Sequence, residues 1–246
     1  MLKFSPANAK LIVLQKKLGK KLFSVSTLAG IGCPYARDCK STATMGDNGR
    51  LHIVDGPHTQ FRCFSASQEV IFPKVYEQRS HNLQLIRECK NDTDKIAQLL
   101  SDSLPVKAEI IRYHISGDWT TQNHFDAALE VARKHPNIIF YAYTKSLPFW
   151  VARLGVIPSN FILTASYGGY RDDLIEKHSL RYVKVVYSKY EARKLKLPID
   201  HDDSHAVKNS GNFALLIHGI QPAGSKAGKA VRKLDGVGSY GKRGRK

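Results

Sequence analysis

Five short apolar runs, each followed by a helical pattern, succeed one another between residues 109 and 234. EIIRYHIS (109–116) is rich in β-branched residues and reads as a strand. In the TQNHFDAALEVARKH that follows, Phe125, Ala128, Leu129 and Ala132 fall at i, i+3, i+4 and i+7, one helix face. NIIFYAYT (137–144) precedes LPFWVARLG (147–155), which has proline near its start and glycine at its end. NFILTAS (160–166) precedes RDDLIEKH, RYVKVVYS (181–188) precedes KYEARKLK, and NFALLIHG (212–219) precedes SKAGKAVRKL. Such alternation demands a parallel sheet with crossover helices, open or curled into a barrel. KLFSVS (21–26) supplies a sixth strand ahead of them. The expected fold is therefore α/β: a partial (β/α)6 barrel-like parallel sheet with an N-terminal cysteine loop and a helical insertion.

A chain of 246 residues suits one such core. We expect a single α/β domain over 1–235, comprising a cysteine loop (27–65), a helical segment (66–104) and β/α repeats (108–235). The glycine-rich, basic end, 236–246, reads as a flexible tail that touches phosphates or merely solubilises. No apolar run is long enough to span a bilayer, and the first residues lack a signal-peptide core, so a cytoplasmic location is expected.

Parallel α/β folds gather functional groups at the carboxyl ends of their strands. Here those ends read Ser116-Gly117-Asp118, Tyr143-Thr144-Lys145, Ser166, Ser188 and His218-Gly219, a set that points to one shared pocket. Ser or Asp after a strand also caps helices, and for Asp118 both roles stay open. Cys33 and Cys39 fall in TLAGIGCPYARDC, the loop leaving the first strand, and Cys63 returns after the turn signals DNGR and DGPH. Four cysteines in a cytosolic chain are not a disulfide framework, and thiolates suit zinc or iron–sulfur clusters. Zinc wants a fourth ligand from Cys89 or a histidine. Cys89, beside Leu85 and Ile86 in a helical pattern, fits a structural thiol better. Three thiolates without a fourth fit a 4Fe-4S cluster with one open iron, or else they are unliganded loop thiols.

Two further polar groups stand out: Arg79, His81 and Asn82 in EQRSHN, and His201, Asp202, Asp203 and His205 in IDHDDSHA. The second holds a metal, works as acid and base, or is a solvated turn. Lys and Arg number 38 against 21 Asp and Glu, a formal charge of +17. A nucleic acid or nucleotide is the natural partner of such a charge, and a merely basic enzyme is the alternative. Trp119, Tyr143 and Tyr167 either stack bases or belong to the core.

The strings CPYARDC, DGPHTQFRCFSAS, RSHN, YHISGDW, FYAYTKSLPFWVARL, FILTASYGG, IDHDDSHA and ALLIHGIQPAGS resemble the phage gene-product-eighty-eight family, from about residue 7 to 232. That resemblance implies a phage or prophage origin, hence the host cytoplasm, and says little of activity. The order of parts also resembles radical S-adenosylmethionine enzymes, whose cluster cysteines follow the first strand and whose Gly-Gly-Glu-like motif ends the second. Two details depart from that pattern: Cys63 lies far downstream of Cys39, and the acid is Asp118 rather than Glu.

The resemblance implies Cys33, Cys39 and Cys63 as cluster ligands. Ser116, Gly117 and Asp118, with Thr144, Ser166 and Ser188, would hold S-adenosylmethionine. Asp118, Lys145, His218 and His205 would serve catalysis on a nucleobase, nucleotide or nucleic acid. The alternatives are a non-catalytic nucleic-acid-binding protein with a structural zinc or cluster, and a barrel-type base-exchange enzyme with Asp118 as nucleophile.

Overall fold

The computed structural model describes residues 1–234, so the expected tail (236–246) lies outside the described residues. The chain opens with β1 (Ser5–Pro6), α1 (Ala9–Leu18) and β2 (Leu22–Val25). A hairpin follows, β3 (Ser41–Met45) and β4 (Leu51–Asp55), and then three helices, α2 (Phe64–Ile71), α3 (Pro73–Glu88) and α4 (Thr93–Asp102). Thereafter strand and helix alternate: β5 (Ile110–Tyr113), α5 (Gln122–Lys134), β6 (Ile139–Thr144), α6 (Leu147–Val151) and β7 (Phe161–Ser166). The chain continues through α7 (Asp173–Lys177), β8 (Tyr182–Val186), α8 (Lys189–Lys194), α9 (Ser204–Val207), β9 (Phe213–Leu216) and α10 (Lys226–Lys233).

The main sheet has seven strands in the order β1-β2-β5-β6-β7-β8-β9. Six of them run parallel in chain order, and β1 pairs antiparallel on the outer side of β2. All six strands expected from the sequence are present, each shorter than its apolar run. This is a mixed α/β fold with a mostly parallel sheet.

Strand alternation sorts the two faces. Ile111, Tyr113, Phe140, Ala142, Phe161 and Leu163 pack on one face with Phe125, Leu129 and Val131 of α5 and with Ile96 and Leu100 of α4. Each such side chain contributes about 1.5–3 kcal/mol by leaving water. On the other face Leu22, Ile110, Tyr141, Val183 and Phe213 meet Leu11 and Leu14 of α1 and Ala206 and Val207 of α9. Helix α1 starts where Asn8 Oδ1 accepts from Leu11 N (3.1 Å) and stops at Gly19, which is left-handed at φ 64°.

That second face is layered along the strands. The apolar floor lies at the strands' first residues. Above it Arg112, level with Tyr141 in the next strand, pairs with Asp203, which also holds Lys10 Nζ at 2.7 Å. Farther along come Tyr143, Val185, Leu215 and Ile217, and there the face opens into a cleft.

Two buried histidines make the fold sensitive to acid. His114 and His124 lie with ring centroids 5.5 Å apart beside Trp119. Burial holds His124 down to about 4, and burial with its neighbour holds His114 well below the ordinary range. Both are neutral in the folded chain, whereas the unfolded chain takes up these protons near pH 6.5. Stability is therefore lost as pH falls from about 6.5 towards 4, by about 3 kcal/mol for His124 alone. Urea unfolding at pH 7 and pH 4 should show that His124→Gln narrows the gap between the two by about this amount. An unchanged gap would assign the acid sensitivity to other groups.

Candidate functional site

The cleft lies at the carboxyl ends of the parallel strands and has a cavity volume of about 170 Å³. Of the residues expected to form a site, Cys33, Cys39, Cys63, Ser116, Gly117, Asp118, Lys145, Ser166 and His218 all line it. They come from widely separated points in the chain, and hydrogen bonds explain how each is brought there.

The cysteine loop is fastened along both flanks. On one side Thr27 N donates to Ser116 O (3.1 Å) and Asp118 N to Gly32 O (2.9 Å). On the other side Arg37 N and Asp38 N donate to Gly168 O (3.1 and 2.9 Å), and Tyr170 N donates to Tyr35 O (3.0 Å). Within the loop, Lys40 Nζ bridges Gly30 O (2.8 Å) and Cys33 O (2.7 Å). Gly117 permits the close approach: it is left-handed at φ 80°, and a Cβ there would fall 1.9 Å from Thr27 Oγ1.

The long interval between Cys39 and Cys63 is taken up by the β3–β4 hairpin. The chain leaves at Ser41, turns, and returns opposite it at Asp55. Gly56 N then donates to Lys40 O (2.7 Å), Gln60 N to Asp38 O (2.7 Å) and Cys63 N to Ser41 Oγ (3.2 Å). Cys63 therefore sits beside Cys39 although they are far apart in sequence.

Beneath the loop lies Glu69, which the sequence reading did not single out. It is fully buried in α2. Its Oε1 accepts from Ala29 N (3.1 Å), Ser116 Oγ (2.9 Å) and Arg79 Nη1 (3.0 Å). Arg79 also donates to Ser65 O and Gln68 Oε1. Arg79 is thus a brace. Asn82 likewise donates to Lys3 O and Ser26 O, and His81 Nε2 lies 3.1 Å from Met1 O.

Asp118 spans two strand ends. Its Oδ1 accepts from Trp119 N (2.8 Å) and Thr144 Oγ1 (2.7 Å), and its Oδ2 from Lys145 N (2.8 Å). Burial pushes its carboxyl up, against the pull of these donors. Lys145 is itself buried, and its Nζ donates to Ser166 Oγ at 2.6 Å. Burial holds His218 down to about 4, and its Nδ1 donates to Leu216 O (3.1 Å). It is therefore a neutral imidazole with its lone pair on Nε2.

Three of the expected residues lie outside the cleft. Thr144 is spent on Asp118, behind the wall. Ser188 caps α8, accepting from Glu191 N at 3.1 Å. His205 belongs to α9 and packs on Phe213, the first residue of β9. The rest of IDHDDSHA pins α1 and α9: Asp202 pairs with Lys17 (2.5 Å) and Asp203 with Lys10 and Arg112. Of the aromatics, Trp119 is fully buried, Tyr143 lines the cleft, and Tyr167 packs edge-on against Tyr182 (4.9 Å). Cys89 ends α3, donates to Leu85 O (3.4 Å) and is remote from the cleft wall.

Burial pushes the Cys33 and Cys63 thiols up, and the charges of the neighbouring thiols add to it: Cys63 and Cys39 act on Cys33, and Cys39 acts on Cys63. Asp118 raises Cys33 further. Among the described residues no three His, Cys, Asp or Glu side chains converge on one point as ligands of a single metal ion. A lone tetrahedral zinc would also need a fourth ligand, and Cys89 is turned away.

The loop anchors should prove energetically large. Glu69→Ala leaves Arg79 buried without its carboxylate and should cost about 3–5 kcal/mol in urea unfolding. A loss below about 1 kcal/mol would mean that Arg79 finds another partner.

Among the described residues no helix is long and apolar enough to cross a membrane. Comparison with curated proteins and with solved structures finds no match. The family model for gene product 88 matches residues 2–234. The motif strings around the cleft and the match across nearly the whole chain agree: this chain belongs to the phage gene product 88 family.

Proposed function

We propose that the chain is an iron–sulfur enzyme of radical S-adenosylmethionine type, acting on a nucleobase, nucleotide or nucleic acid. Cys33, Cys39 and Cys63 would hold the cluster. The observation that carries this reading is their meeting in one cleft, at the carboxyl ends of the strands and directly against the Ser116–Asp118 turn. Six parallel strands in chain order, with the cysteine loop after the first, support this reading. When bound, a cluster with one open iron supplies an electron and a coordination position for S-adenosylmethionine.

The chain's own residues would then position and shield. The raised thiols of Cys33 and Cys63 are protonated at neutral pH without metal, so metal binding releases their protons. Asp118, held from behind by Thr144, faces the cleft as acceptor for the cofactor's amino group. Lys145 offers a buried cation to an anionic or carbonyl group of the substrate. Val183, Val185, Leu215 and Ile217 keep the cleft wall apolar and exclude water. The same donors that orient Asp118 occupy both of its oxygens, which makes it a poor nucleophile and disfavours base exchange.

Anaerobic purification followed by an absorption spectrum and iron and sulfide analysis tests the proposal. The expected result is a brown protein with about four irons per chain. Cys33→Ala, Cys39→Ala and Cys63→Ala should each lose it, and Cys89→Ala should keep it. Asp118→Asn should retain the iron and weaken S-adenosylmethionine binding. A colourless chain with one zinc would move the reading to a nucleic-acid-binding protein with a structural metal, and no metal in any preparation would overturn it.

A further inference from the structure

Helix α10 buries Ala227, Ala230 and Leu234 and turns Lys226, Lys229 and Lys233, at i, i+3 and i+7, to solvent. These three lysines, with Tyr187 and Ser188 just beyond β8, line a groove of about 400 Å³. Lys226 Nζ lies 4.8 Å over the Tyr187 ring. None of the three forms an ion pair among the described residues. The neighbouring α8 adds exposed Lys189, Arg193 and Lys194, and an exposed Tyr190. Glu191 is the one acid in these two helices, and its carboxylate accepts from the Tyr187 amide at 2.7 Å. It forms no ion pair with the lysines among the described residues.

The groove adjoins the cleft. Tyr187 lies two residues beyond Val185, a cleft-wall residue, and its hydroxyl donates to Gln60 O at 3.5 Å. Gln60 immediately precedes Phe61 and Arg62, which line the cleft.

We propose that this groove tracks the phosphate backbone of a single-stranded nucleic acid and leads one nucleotide into the cleft. The proposal rests on the reading of the cleft as a nucleotide-handling site. Unpaired lysines at helical spacing suit successive phosphates, and the exposed Tyr190 and half-buried Tyr187 suit unstacked bases, which a duplex does not offer. An acidic protein would satisfy the lysines but would leave the tyrosines without a stacking partner.

Fluorescence anisotropy with a labelled oligothymidylate of about 20 nucleotides, titrated in salt, tests this. Three phosphate contacts contribute about 2 to the slope of log K against log salt, at roughly 0.7 each. The Lys226→Ala, Lys229→Ala, Lys233→Ala triple variant should lose that part of the slope and bind at least about tenfold more weakly near 50 mM salt. A matched variant with Lys74, Lys107 and Lys134 changed to Ala removes the same charge from elsewhere and should bind nearly as the wild type.

Equal loss in both variants, equal binding of a duplex of the same length, or equal competition by polyglutamate would overturn the proposal. Iron analysis of the same samples separates the two claims. A triple variant that keeps its iron while losing the strand supports the groove. A wild-type chain that holds no iron yet binds through α10 overturns the cluster reading and leaves the groove standing.

Discussion

One carboxylate oxygen, Glu69 Oε1, joins three parts of the chain that lie far apart in sequence. It accepts hydrogen bonds from a backbone amide of the cysteine loop, a hydroxyl beyond the end of β5 and a guanidinium of α3. A fully buried charge is tolerated only where such donors surround it, so the loop and the strand end are held in register by the cost of leaving it bare. The Thr27–Ser116 and Gly32–Asp118 backbone bonds then extend that register along the loop. The cleft exists because this seam is closed on one side and the Gly168 contacts close the other. The geometry of the thiols is thus a property of the seam more than of the cysteines' own spacing.

That distinction accounts for what could be read from the sequence and what could not. The parallel strands announce themselves as β-branched apolar runs, since a strand buried on both faces must be apolar throughout. The residues at their carboxyl ends follow from topology alone, and so Ser116, Asp118, Lys145, Ser166 and His218 meet as expected. The β3–β4 hairpin was concealed because STATM and LHIVD are short and half polar, although the DNGR turn between them was visible. Helix α1 carried a signal that went unused: Leu11, Leu14 and Leu18 at i, i+3 and i+7 behind an Asn cap. Glu69 and Arg112 have partners 47 and 91 residues away, at Ser116 and Asp203, and no local pattern marks such pairs.

The residues that fell outside the cleft teach the same lesson from the other direction. Thr144, Ser188 and His205 are of the right chemical type, and two of them stand at strand ends. A strand-end hydroxyl has several ways to be satisfied, however, and Ser188 found a helix to cap while Thr144 found a carboxylate to orient. The IDHDDSHA string has the composition of a metal site. Asp202 and Asp203 are nevertheless used up by Lys10, Lys17 and Arg112, and Asp200 accepts from the Asp202 and His205 amides. Composition names the candidates, and the count of remaining hydrogen-bond capacity decides among them.

That count also gives the cleft a direction. The three thiols and the Asp118 carboxyl lie on the side of the cysteine loop and the β5 end, where burial and Asp118 keep the Cys33 thiol raised. Lys145 stands at the neighbouring β6 end with its Nζ donating to the Ser166 hydroxyl, and Arg112 rises from the layer below over the Tyr143 ring, 5.0 Å from its centroid. A ligand entering such a space is oriented before any reaction begins. Its cationic or metal-bearing part is drawn to the thiol side and its anionic part to Lys145, with the apolar walls amplifying both attractions by excluding water. The proposed pairing of a sulfonium-bearing cofactor with a phosphate-bearing substrate rests on that polarity.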